Sequence, residues 1–341
     1  MKKTLTFLCM LIVVSLLFVG CESSKTDPTT DVYNKDGETE TVTEDNKLEL
    51  DIIVPSGTPA MSMVKLMEEQ PSLGENVEVN YEVVASTDAL KAKVIAGEAD
   101  IAIVPTNLAS ILYNKGINYQ VAATSVWGNL YLVSDKPLSS TSELANETIY
   151  LFGQGLSPDI IFTYLLEHIG INKTDDLEIN YLQGATEIAP LFLTGEAHVA
   201  LIPEPMLTKV KAKKDVTVIL DLQEEWKNVT GQDTSYPQAS LIVNKDFIES
   251  NPEILNTFLD MYEDSINWIN ENPAQTGEYY ESQELGLEKA IVEASIPQSN
   301  IMYKGANEAK DAINTYLEVL HNYSPDTVGG QLPDENFYYQ R

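Results

Sequence analysis

Residues 97–108, GEADIAIVPTNL, return at 195–206 as GEAHVALIPEPM. Each copy reads as a helix end, a Gly-Glu-Ala turn, a short apolar strand and a proline-led loop that opens another helix. Upstream, at the same spacing, Ser86-Thr87-Asp88-Ala89-Leu90 stands against Gly184-Ala185-Thr186-Glu187-Ile188, again a strand end followed by a helix start. A chain carrying half a βαβ unit twice is constrained to two α/β lobes built alike. Open α/β sheets bind ligands beyond the carboxyl ends of their strands. The polar loops of both copies are therefore expected to face one small molecule from opposite lobes.

A length of 341 residues exceeds the usual span of a single core, which fits two lobes. The formal net charge of −31 makes nucleic acid and anionic headgroups poor electrostatic partners. Arg341, the last residue, is the only arginine; every other basic residue is lysine.

The N-terminus has the layout of a targeting segment. Lys2 and Lys3 precede an apolar run from Leu5 to Val19, broken by Thr6 and Ser15, which ends in Phe18-Val19-Gly20-Cys21. The run is short for a membrane span and is flanked like a secretory signal. Residues 1–20 are read as that signal, and the Val-Gly-Cys ending resembles the bacterial lipobox, which implies that Cys21 is the lipidated first residue of the mature chain; the alternative is an ordinary signal with Cys21 incidental. Residues 21–46, rich in Ser, Thr, Asp, Glu and Lys, lack the large apolar side chains a core requires and are read as a disordered tether. Cys9 leaves with the signal, so no disulfide, Cys-based metal site or thiol nucleophile is expected in the folded body.

From Leu48 the pattern is βαβαβ: a strand to Val54, the loop Pro55-Ser56-Gly57-Thr58-Pro59 opening a helix, a strand over Val77 to Val84, a helix from Asp88, and the strand Ile101 to Val104. Strands at Tyr119 to Ser125 and Leu130 to Ser134 flank Trp127-Gly128-Asn129, read as the crossing to the second lobe. There the grammar repeats, with the glycine-rich loop Gly153-Gln154-Gly155-Leu156-Ser157-Pro158, a helix from Asp159, a strand over Val199 to Ile202 and a helix over Glu204 to Ala212. Ala239 to Val243 reads as the return strand. Helices at Pro252 to Glu271, Leu287 to Ser295 and Ala306 to Asn322 follow, then a polar, aromatic tail. The domain reading is lobe one at 47–130 and 238–341 and lobe two at 131–237, each a mostly parallel sheet flanked by helices.

The Val-Gly-Cys ending, tether, GEADIAIVP, its GEAHVALIPEP echo and the helical C-terminal block together resemble a solute-binding lipoprotein of an ABC importer. The chain is similar to the nitrate, sulfonate, taurine and thiamine-pyrimidine-precursor branch of the type II periplasmic-binding-protein family, over roughly residues 48–322. Phe18, where the lipobox most often has leucine, is a departure. The resemblance implies a type II two-lobed fold with two crossovers and closure on the solute. It also implies docking to a membrane permease with its ATPase subunit, on the extracytoplasmic face of a bacterial membrane. A monomer without cofactor or metal is expected; a sensor module using the same clamp is the alternative.

Ser56, Gly57, Thr58, Ser86, Thr87, Thr106, Asn107, Gln154, Gly155, Ser157 and Thr186 line the strand-end loops and are the candidate ligand contacts, although each also suits a helix cap or turn. Trp127 reads either as a hinge aromatic or as a stacking wall, and Tyr236, before Pro237, as a weaker version of the same. Glu204 reads either as a complement to its own helix or as an acceptor for a ligand amine. His168, His198 and His321 lack metal-ligand spacing, and no nucleophile elbow, P-loop or complete dinucleotide fingerprint occurs, so no catalytic site is expected. With lysine absent from these loops, two solute types stay open: an anion held by helix N-termini and hydroxyls, or a heteroaromatic stacked on Trp127 or Tyr236 and bonded to Asn107, Gln154 and Glu204.

Overall fold

The repeated segments become the same structure twice. Helix Thr87–Ala96 ends on Gly97 at φ 74° and leads to strand Ile101–Pro105; helix Ala185–Thr194 ends on Gly195 at φ 79° and leads to strand Val199–Pro203. Both glycines take the left-handed conformation that a side chain disfavours, which is why the helix stops there in each copy.

The computed structural model describes residues 47–341 apart from positions 139 and 146. The signal reading of 1–20, lipidation at Cys21 and the tether at 21–46 lie outside the described residues. Along the chain come β1 (Leu48–Pro55), α1 (Thr58–Glu69), β2 (Val77–Val84), α2 (Thr87–Ala96), β3 (Ile101–Pro105), α3 (Thr106–Asn114), β4 (Tyr119–Val126), β5 (Leu130–Ser134) and β6 (Thr148–Phe152). Then follow α4 (Ser157–His168), α5 (Lys173–Asp176), β7 (Glu178–Leu182), α6 (Ala185–Thr194), β8 (Val199–Pro203), α7 (Met206–Lys211), β9 (Thr217–Asp221) and α8 (Leu222–Thr230). The remainder is β10 (Ala239–Asn244), α9 (Lys245–Ser250), α10 (Pro252–Glu271), α11 (Pro273–Ser282), α12 (Lys289–Ser295), β11 (Ile301–Gly305) and α13 (Ala306–Tyr323).

Two sheets result, ordered β11-β4-β10-β3-β1-β2 and β7-β6-β8-β5-β9. The two-lobed α/β class stands, but the sheets are mixed rather than mostly parallel. β2-β1-β3 and β7-β6-β8 are parallel, whereas β10 and β5 run antiparallel to both of their neighbours. The reason is the crossing. β5 is the first strand made after the chain enters the second sheet, β10 the first after it returns, and each enters against the direction of the βαβ strands. β10 lies between β3 and β4, so the six-stranded sheet closes only through a strand made late in the chain.

Alternation along the central strands divides the core into layers. Ile52, Val54, Ile101, Ile103, Leu241 and Val243 face α1 and α10; Ile53, Ala102, Val104 and Ile242 face α2, α3 and α13. In the five-stranded sheet Tyr131, Val133, Ala200 and Ile202 meet α6 and α7, and Leu132, Leu151, Val199 and Leu201 meet α4. α10 buries Leu255, Phe258, Leu259, Tyr262, Ile266 and Ile269 at helical spacing, each such aliphatic contributing about 1.5–3 kcal/mol. The helix expected from Glu204 begins instead at Met206, after a cis Glu204–Pro205 bond. The tail folds back: the Tyr339 amide donates to the Val121 carbonyl at 2.8 Å, and Arg341 pairs with Asp260 at 2.6 Å.

Candidate functional site

The carboxyl ends of β1 and β8 meet across the two sheets. Gly57, at φ 88°, turns the chain out of β1 so that Thr58 opens α1 with its side chain buried. The Thr58 hydroxyl donates to the Glu204 carbonyl at 3.3 Å and accepts from Asn129 Nδ2 at 3.1 Å. Asn129 Nδ2 also reaches the Glu204 carbonyl at 3.0 Å, and the Glu204 amide donates to the Asn129 carbonyl at 2.9 Å. Leu130 pairs with Pro203, which is what sets Asn129 beside Glu204.

The Glu204 side chain is 2% exposed. One carboxylate oxygen accepts from the Thr208 amide at 3.0 Å. The other, like Asn129 Oδ1, Gln238 Oε1 and the Ser125 hydroxyl, has no hydrogen-bond partner among the described residues. Burial raises the Glu204 pKa, opposed by the hydrogen bonds from Thr208 and by the charge of Lys211. Gln238 stands at the head of β10, its amide donating to the Val126 carbonyl at 2.8 Å and its carbonyl accepting from the Thr106 amide at 3.1 Å.

The other candidates divide by surroundings. Thr106 is buried and bonds to the Ser240 hydroxyl at 2.8 Å, which in turn meets Thr124 at 3.2 Å. Asn107 donates to the Thr327 carbonyl at 3.2 Å. Ser86 caps α2 by accepting from the Ala89 amide, and Ser56, Thr87, Gln154 and Thr186 are exposed. Gly155 donates to Asp159 at 2.8 Å. Asp159 is 1% exposed and is also held by Lys173 and Tyr181, so the glycine-rich loop before Ser157 is pinned from below.

Trp127 and Tyr236 belong to the crossings. Trp127 is 2% exposed and donates from its indole nitrogen to the Met302 carbonyl at 2.8 Å. It edges a cleft of about 340 Å³ shared with Ser235, Asn270, Asn300 and Met302. Tyr236 donates to Gln223 Oε1 at 2.9 Å and packs against Trp226 and Tyr316 at centroid distances of 5.5 and 6.3 Å. Gly128 between the crossings has φ 71°, and a Cβ there would lie 2.8 Å from Tyr236 Cζ and 2.9 Å from the Ser235 hydroxyl.

Thr58 and Glu204 are therefore brought together. Asn129, which completes the seam, was missed by sequence reasoning, which read Trp127-Gly128-Asn129 only as the crossing. Among the described residues no group of His, Cys, Asp or Glu is placed to hold a metal ion, and no helix is long and apolar enough to cross a membrane.

The model of the family described as Menaquinone biosynthesis matches residues 60–322. No curated protein matches the chain. A solved structure described as an ABC transporter from Parabacteroides distasonis is 29% identical, covering 86% of this chain and 100% of that one at a TM-score of 0.76. The alkanesulfonate-binding protein SsuA from Xanthomonas axonopodis pv. citri, bound to MOPS, is 13% identical over 86% of this chain and 96% of its own at a TM-score of 0.61. The periplasmic nitrate-binding protein NrtA from Synechocystis PCC 6803 is 12% identical over 83% and 84% at 0.61. These two share the fold.

Proposed function

The chain belongs to the family described as Menaquinone biosynthesis, and from that premise we propose that it is the solute-binding subunit of an ABC importer. One observation carries the proposal: the strand ends of two like-built sheets meet at buried polar groups, Thr58, Asn129 and Glu204, that a solute between the sheets would touch. The printed description of the Parabacteroides distasonis protein, whose whole length aligns with this chain, supports it.

In this proposal the sheets and their helices are lobes, 47–130 with 238–341 and 131–237, which close on the solute and present it to a permease and its ATPase. The strand-end residues Ser56, Gly57, Ser86, Thr87, Gln154, Ser157 and Thr186 form the rim, and Trp127 and Tyr236 hold the pivot. The protein works as a monomer on the extracytoplasmic face of a bacterial membrane, anchored by lipid on Cys21. Mass spectrometry of the mature N-terminus checks the anchor: an unmodified Cys21 removes it.

The family's name, Menaquinone biosynthesis, favours a second reading, an enzyme acting on a small metabolite. Incubating the detergent-solubilised full chain with deproteinised cell extract, washing, and denaturing it separates the two. A receptor releases one solute unaltered and near stoichiometric amount. Release of a compound absent from the starting extract supports the enzyme, and retention of nothing defeats the receptor.

A further inference from the structure

The seam at Glu204 is short of donors. Its free carboxylate oxygen and Asn129 Oδ1 are unpartnered among the described residues, and an ionised carboxylate oxygen or an amide oxygen only accepts. The Asn129 amide has a fixed orientation, because its nitrogen faces the Glu204 carbonyl, which is itself only an acceptor.

The positive charge that reaches Glu204 comes from one lysine. Lys211, the cation whose field reaches Glu204, is bonded through Nζ to Gln298 Oε1 at 3.3 Å. Arg341, the only guanidinium, is bonded to Asp260 and to the Asn256 carbonyl on α10. An anion in the seam would meet a buried carboxylate and leave two acceptors unpaired, each a desolvation cost without return. A donor-bearing group relieves that cost.

Resting on the solute-receptor reading, we infer that the solute turns N–H donors or positive charge, as an ammonium, amidinium or amino-substituted heterocycle, toward Glu204 and Asn129. The sulfonate and nitrate named for the proteins that share the fold are the wrong chemistry for this seam. The charge of a bound cation also favours the ionised carboxylate that burial alone disfavours.

Benzamidine is the probe, with benzenesulfonate as its size-matched anion and nitrate as the small one, in calorimetry on the detergent-solubilised full chain. Benzamidine is expected to bind and both anions to be silent at millimolar concentration. Glu204→Gln keeps an oxygen for the Thr208 amide and puts a donor where the wild type has a bare acceptor. It is expected to weaken benzamidine about tenfold or more, which is about 1.4 kcal/mol. Either anion binding the wild type better than benzamidine overturns the inference, as does Glu204→Gln binding benzamidine unchanged; the wild-type comparison stands even if the variant does not fold. If no probe binds, the donor class falls. The receptor reading then survives only if the extract experiment returns a retained solute, and a retained anion separates the two failures.

Discussion

Two of the seams between the sheets are opposite in kind. In one, Trp226 meets Tyr236 edge-on and Tyr236 stacks on Tyr316, within a hydrophobic cluster that runs from Ile53 in one sheet to Leu201 in the other. In the second, Thr58, Asn129 and Glu204 meet through hydrogen bonds of 2.9–3.3 Å and bury acceptors that no described residue partners. Apolar area gains from burial whatever the solute does, whereas an unpaired buried acceptor costs until something donates to it. In the proposed receptor the aromatic seam is the pivot, and the polar seam the edge that opens.

The sharpest way to break this contrast is at Trp226. Trp226→Ala is expected to destabilise the protein by about 3–5 kcal/mol in chemical denaturation; a loss below about 1 kcal/mol would leave nothing to distinguish the seams. Next comes Gly128→Ala, which forces a side chain into positive φ and against Tyr236. A loss of roughly 2–4 kcal/mol is expected, from backbone strain and overpacking together, and a neutral result would show that the crossing adjusts freely. Smallest is Thr58→Val, which keeps the volume and removes the bond to the Glu204 carbonyl. Stability should fall by no more than about 1.5 kcal/mol, while the radius of gyration of the unliganded protein in small-angle scattering rises. Unfolding on the scale of Trp226→Ala would abolish the distinction between pivot and opening edge.

The repeat made β3 and β8 legible, because a buried apolar strand between Gly-Glu-Ala and proline announces both its ends. The Pro158 and Pro252 first turns did the same for α4 and α10. α8 went unread although Asp221, accepting from the Gln223 and Glu224 amides, begins an Asp-x-x-Glu capping pattern that sequence displays. β11 was a true blind spot. Ile301–Gly305 is a short edge strand with one buried residue, so no alternation marks it. Thr58 and Glu204 were named because both stand at strand ends, where open α/β sheets bind ligands, and the structure brings the two together. Asn129 was not named, since its role is created by the pairing of Leu130 with Pro203, a contact between distant parts of the chain. Trp127 was read as a hinge aromatic or a stacking wall, and its indole is buried and bonded to Met302.

The place of β10 has a consequence for how the molecule comes into being. β3 and β4 do not pair with each other; the strand that joins them begins at Ala239, after the whole second sheet has been made. A chain delivered from its N-terminus therefore holds β4 apart from β1, β2 and β3 until Asn244 has followed. The second sheet, whose strands all lie between Leu130 and Asp221, has every partner it needs before then. The half that is synthesised first is completed last, and cutting the gene between the sheets yields one half with a closed sheet and one with a gap at its centre.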